Sequence, residues 1–224
     1  MIDRLVISLL CFFVLSTQGV AQNNASKKIP ESYYWIYASI VNRPDSGALP
    51  SILIIGDSHV ERYHPVVAEQ LKGQYYVSKL TSSKSMGDPY FIKMLEAILN
   101  TNKFDFISFN NGLHGVKYTS AEYRKDIPQV YKILRKNNPS AKIIWATTTA
   151  RRIKDNLDSF DEYNDGVDGR NKSVLEFCKK KNIQVVDFSS LSKLNKDFYM
   201  NDGIHFNEKG VKAQAKLIID AIAH

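Results

Sequence analysis

Apolar residues recur along this chain in short β-branched runs that alternate with longer stretches of helical period. Ser51 to Ile55 is an apolar run of strand length, and Val66 to Leu71 continues a helical pattern that starts near Pro65, a residue suited to a first helical turn. Tyr75 to Leu80 predicts a strand, and Tyr90 to Leu99 a helix with Phe91, Met94, Leu95 and Ile98 on one side. Phe104 to Phe109 predicts a strand, Ala121 to Lys136 a helix despite Pro128, and Lys142 to Ala146 a strand. Val167 to Lys181 reads as helix, Ile183 to Phe188 as strand and Glu208 to Ala223 as the closing helix. Five short apolar strands separated by helices predict an α/β fold, a doubly wound five-stranded parallel sheet built by right-handed crossovers.

The N-terminus breaks this alternation. Arg4 is followed by an apolar stretch from Leu5 to Leu15 and by small residues up to Ala21, the pattern of a secretory signal peptide. The stretch is about eleven residues, short of the roughly 20 that span a bilayer, so no stable membrane anchor is expected after cleavage. Leu10 stands where a lipoprotein signal needs a small residue, which discounts lipidation at Cys11. The chain therefore divides into a signal peptide (1–21), an N-terminal extension with an aromatic segment (22–50) and a main domain (51–224). Tyr33-Tyr34-Trp35-Ile36-Tyr37 suits either a sugar-stacking platform or a segment packed over the core, and packing is the preferred reading.

The remaining roughly two hundred residues are enough for one domain with a sizeable core. Export permits disulfides, but cleavage leaves Cys178 alone, on the apolar side of a predicted helix. The net charge of +7 comes from scattered lysines, with one cluster, Lys179-Lys180-Lys181, at a helix C-terminus where cations favour the dipole. No zinc-finger spacing, arginine stripe or stacking-aromatic motif accompanies that charge, so nucleic acid is not an expected partner.

A parallel sheet binds ligands beyond the carboxyl ends of its strands, and the polar, chemically suggestive segments lie there. Ile55-Gly56-Asp57-Ser58-His59 follows the first strand and Ser82 to Gly87 the second. Asn110-Asn111-Gly112-Leu113-His114 follows the third, Thr147 to Arg151 the fourth, and Asp202-Gly203-Ile204-His205 comes after the fifth. Ser58, His205 and Asp202 are the residue types of acyl transfer: a nucleophile, a base, and a carboxylate that holds the base in the right tautomer. Asp57 is better read as a loop-fixing carboxylate, His59 as a cleft-wall residue that could meet substrate, and His64 as surface. No carboxylate or cysteine pattern of metal-ligand spacing surrounds these histidines. Thr148 is a further candidate substrate contact, and so is Arg151, although Arg151 and Arg152 also suit a solvated loop.

At these residues the chain resembles the SGNH (GDSL-type) hydrolases, and the resemblance runs from Ser51 to the C-terminus. Gly56-Asp57-Ser58 is similar to the family's first block and Asp202-Gly203-Ile204-His205 to its last. Phe109 to His114 and Trp145 to Thr149 look like the bacterial secreted branch often associated with carbohydrate acetyl esters. The resemblance implies a flavodoxin-like three-layer α/β/α sandwich and a Ser58-His205-Asp202 triad without metal or organic cofactor. Two departures concern the oxyanion hole. The third block places His114 where the family carries an asparagine, leaving His114, Asn110 and Asn111 as side-chain candidates. The second block places Ser83 where the family carries a glycine, with Gly87 as a second backbone candidate.

The expected function is an exported, periplasmic or secreted, serine esterase that removes a small acyl group, acetyl, from a carbohydrate. A lipase or thioesterase on the same triad is the alternative within catalysis, and its apolar groove is at odds with polar loops carrying Lys84, Thr148, Arg151 and Asn156. The alternative outside catalysis is a glycan-binding module on a decayed esterase scaffold, motivated by the irregular second and third blocks.

Overall fold

The computed structural model describes residues 34–44, 49–115 and 118–223. The expected signal peptide and the first part of the extension lie outside the described residues. Five parallel strands form the centre of the sheet: β2 (Ser51–Gly56), β3 (Tyr76–Ser82), β4 (Phe106–Phe109), β5 (Lys142–Ala146) and β8 (Gln184–Val186). A sixth strand, β1 (Ile36–Ser39), adds to the edge antiparallel to β3, so the order is β1-β3-β2-β4-β5-β8. Two short strands, β6 (Arg152–Ile153) and β7 (Asn156–Phe160), form a separate antiparallel hairpin.

Helices cover both faces, which is why every residue of β2 is buried. Ile52 and Ile54 point to one core with Val60, Tyr63 and Val67 of α1 (Ser58–Gln70) and Ile218 of α6 (Glu208–Ala223). Leu53 and Ile55 point to the other, with Phe91 and Leu95 of α2 (Pro89–Thr101), Ile127 and Val130 of α3 (Ser120–Asn137), and Val174 and Cys178 of α4 (Asn164–Lys181). The three-layer α/β architecture expected from the alternating pattern is the one observed.

Three elements differ from the sequence reading. Helix α1 begins at Ser58, because the Asp57 carboxylate accepts the His59 N–H at 2.9 Å and caps it there. Pro65 consequently sits inside the helix, on an exposed position, and leaves the Glu61 carbonyl without its intrahelical donor. The fifth parallel strand ends at Val186, since Asp187 accepts the Ser190 N–H at 3.0 Å and starts a short helix, α5 (Phe188–Leu194), that takes Phe188 out of the strand. The aromatic segment packs as expected through Ile36, which joins the core, and does so as strand β1; Tyr34 and Tyr37 stay more than half exposed.

Candidate active site

The strand β2 delivers Ser58. Gly56 closes that strand, and a Cβ there would stand 2.4 Å from the Val60 side chain, so only glycine lets the chain turn this tightly into α1. Ser58 is the first residue of the helix, where backbone N–H groups have no intrahelical acceptor and the dipole favours negative charge.

Asp202 and His205 come from a tight loop before α6. The Asp202 Oδ1 accepts the N–H groups of Ile204 at 2.9 Å and His205 at 2.8 Å, leaving Oδ2 2.7 Å from His205 Nδ1. A carboxylate accepts, so Nδ1 carries the proton and Nε2 presents its lone pair to the Ser58 hydroxyl, 3.0 Å away. Partial burial pushes the Asp202 carboxyl up, but the His205 ring and the two backbone N–H groups outweigh it and hold it below the usual carboxylate range.

The loop itself is clamped. Gly203 has φ +71°, and a Cβ there would lie 2.1 Å from the Arg152 carbonyl oxygen. The Arg152 N–H donates to Gly203 O at 2.7 Å, tying the β6–β7 hairpin to the loop. Arg152 is not a solvated loop residue. Its guanidinium is buried, donating to the carbonyls of Leu157, Ser192 and Lys193 and lying over the rings of Phe160 and Tyr199.

Beneath the relay lies His59, which is buried rather than open to a cleft, as the sequence reading had it. Its Nδ1 donates to Gln214 Oε1 at 3.3 Å, so its Nε2 accepts the Thr149 hydroxyl at 3.2 Å, and its ring is 6.1 Å from that of His205. Burial, opposed by Asp57 but aided by the nearby His205, lowers the His59 pKa and keeps this second imidazole neutral. Thr148 is buried too, its N–H and C=O both held by the Asn171 carboxamide at 2.7 and 2.9 Å. Arg151 pairs with Asp161 at 3.3 Å and lies over Tyr163. His59 and Thr148 are thus parts of the scaffold, and Arg151 is engaged by its own hairpin.

The oxyanion side departs further from expectation. The Ser83 N–H is committed to Trp35 O at 3.1 Å, and the Ser83 hydroxyl accepts the Trp35 N–H at 3.0 Å. The Asn110 amide nitrogen donates to Ala146 O at 2.9 Å and to Thr148 Oγ1 at 3.3 Å, using both its hydrogens. Ser83 and Asn110 are therefore corrected from oxyanion candidates to fold-holding residues. Asn111 donates once, to Lys84 O at 2.9 Å, and Gly87 lies in the turn before α2. His114 stands edge-on to the Trp35 ring, 6.3 Å between centroids.

One residue that organises this side was absent from the sequence reading. Arg170 on α4 is 1 % exposed, and its guanidinium donates to the backbone carbonyls of Gly112 (2.6 Å), His114 (3.1 Å), Gly115 (2.8 Å) and Tyr118 (2.6 Å). Three tyrosine rings, Tyr118, Tyr123 and Tyr163, surround it. A buried charge is tolerated when carbonyl dipoles satisfy it, and here they all come from the loop carrying His114. Among the described residues, no group of three or more His, Cys, Asp or Glu side chains is arranged to hold a metal ion.

Residues 101–218 match the sequence profile of the GDSL-like lipase/acylhydrolase family, more than half of the chain. The chain belongs to that family. It is accordingly an ester-hydrolysing enzyme. The matched segment begins downstream of Ser58. No curated protein matches the chain in sequence. Among solved structures, this family member is similar to an acetyl xylan esterase (TM-score 0.65, 19% identity, 77% of this chain and 99% of that one). It is also similar to a GDSL-like lipase from Bacteroides thetaiotaomicron (TM-score 0.64, 17% identity, 82% and 92%). A carbohydrate esterase of family 3 from Talaromyces cellulolyticus is a third (TM-score 0.63, 15% identity, 78% and 97%).

Proposed function

We propose that this acylhydrolase is an exported serine esterase that removes acetyl groups from carbohydrates through Ser58, His205 and Asp202. The observation that carries the reading is the continuous relay Asp202 Oδ2, His205 Nδ1, His205 Nε2, Ser58 Oγ, with links of 2.7 and 3.0 Å. Ser58 attacks the ester carbonyl as His205 takes its proton, and Asp202 stabilises the imidazolium. His205 then protonates the departing sugar oxygen, and water, activated by the same imidazole, releases acetate from the acyl-serine. The Ser58 N–H at the positive end of α1 is one oxyanion donor, joined by Gly87, His114 or the second N–H of Asn111.

The carbohydrate part of the reading draws on an acetyl xylan esterase and a carbohydrate esterase among structures of similar fold, and on polar side chains around the strand ends. The export part draws on the signal-like pattern of residues 1–21, and places the enzyme in the periplasm or outside the cell. The test is hydrolysis of p-nitrophenyl acetate by protein starting at Gln22, beside Ser58→Ala, from pH 5 to 9. Turnover that needs Ser58 is the expected result, followed by acetate release from acetylated glycans. Equal rates from the two folded proteins would remove Ser58 from the mechanism.

A further inference from the structure

The added edge strand does more than cover β3. Tyr37 is paired with Thr81, which is in turn level with Gly56, so one row of the sheet runs from β1 through β3 to the end of β2. Trp35 is level with Ser83, two residues further along, as Ser58 is two residues beyond Gly56. Two strand spacings, roughly 10 Å, separate Tyr37 on β1 from Gly56 at the end of β2, two residues before Ser58.

The aromatic side chains face the correct way. Side chains alternate along a strand, and Ile36 packs into the core beneath α2 and α3, so Trp35 and Tyr37 lie on the face that carries α1. Their rings stack, 5.4 Å between centroids and 19° between planes, and Tyr37 remains 54% exposed. Between this stack and the helix runs a polar strip. Glu61, one turn after Ser58 on α1, accepts from the Thr81 hydroxyl and pairs with Lys79 Nζ at 2.6 Å, while keeping its side chain 28% exposed. The other end of the stack meets His114, on the loop that Arg170 holds. An aromatic face for a sugar's C–H side and fixed hydrogen-bonding groups beside it thus lie next to the helix whose first turn carries Ser58.

We propose that Trp35 and Tyr37, with Glu61 and Lys79 beside them, form a subsite for the sugar ring next to the acetylated one. This rests on the carbohydrate-ester reading and adds to it that the substrate is an oligosaccharide held through a neighbouring unit. The subsite touches the glycan and not the reacting ester, so its effect is read in KM on glycan substrates.

The experiment compares wild type, Trp35→Ala, Tyr37→Ala and Tyr37→Phe on p-nitrophenyl acetate, peracetylated monosaccharides and peracetylated disaccharides. Wild type should favour disaccharide over monosaccharide about tenfold in kcat/KM, a gain the stacking of one ring can supply. Both alanine variants should lose that preference through KM and Tyr37→Phe should keep it, while circular dichroism and thermal melts close to wild type show that all three fold. Disaccharide preference unchanged in the alanine variants would overturn the subsite while leaving the carbohydrate esterase standing. Hydrolysis of p-nitrophenyl acetate but of no acetylated sugar would overturn the carbohydrate reading and the subsite with it.

Discussion

The two sides of the candidate site are built in opposite ways. The side proposed to move the proton is nearly self-contained: Asp202 fixes its own loop with two backbone hydrogen bonds and reaches His205 three residues later. The side proposed to face the developing oxyanion is assembled from far apart. Its loop carbonyls are gathered by Arg170 across 52 to 58 residues, its Asn110 is held by β5, and its Ser83 is tied to Trp35 across 48. A local motif specifies chemistry directly, whereas a dispersed one specifies a shape. Substitutions should therefore abolish the first side's contribution and only loosen the second's.

The largest effect should come from Ser58→Ala, which removes the proposed nucleophile: a fall of about 10⁵-fold in kcat with the melting temperature little changed. Asp202→Asn keeps the shape of the loop but favours the wrong imidazole tautomer, and should lower kcat about 10⁴-fold. A fall of less than tenfold would mean that backbone bonds alone orient His205. On the other side, Arg170→Ala strands four carbonyls that no longer have a buried cation and should cost about 3 kcal/mol of unfolding free energy. The surviving folded fraction should lose about 10²-fold in kcat while keeping the wild-type pH profile, since the proton relay is untouched. Arg170→Lys restores the charge without the fork, and should recover stability more than turnover. A shifted pH profile in either variant would erase the distinction between the two sides.

The smallest effect concerns His59, which lies under the relay. Its folded pKa is below the ordinary 6.5, so the unfolded chain binds a proton that the folded chain refuses. Stability from this residue is complete above about pH 6.5 and is lost as pH falls toward the folded value. Thermal melts should show this acid-side decline, and His59→Gln should flatten it. An unchanged slope would mean that the folded protein accepts the proton without cost.

The same contrast governs what could be read from the sequence. The relay was legible because Asp202 and His205 are spaced for a single loop and because the apolar runs on either side specify the strand and helix that meet there. The α/β layers were legible for the same reason: each strand is a continuous apolar run flanked by amphipathic helices. Arg170 was not, because a buried arginine within Asp168-Gly169-Arg170-Asn171 looks like any polar helix face. The available signal was that the first half of α4 is too polar for a helix lying on a core, yet Asn164, Arg170, Asn171 and Ser173 are buried. Asn164, Arg170 and Asn171 bond loop backbone, which wants polar partners rather than methyl groups, and Ser173 meets Arg124 of α3. Ser83 was misjudged because nothing in a five-strand pattern announces that an aromatic segment will pair with the end of β3. The β6–β7 hairpin, short and polar, carries no apolar periodicity to betray it.

The bond from Ser83 to Trp35 has one more use. Ser83 lies just past the last residue of β3, so its amide is shielded from solvent protons only while the edge strand stays docked. An edge strand paired on one side opens more readily than the centre of a sheet. The hydrogen-exchange rate of that single amide therefore gauges the free energy of detaching β1, with no probe introduced. A glycan that bridges β1 to α1 would slow the exchange in proportion to how firmly it is held.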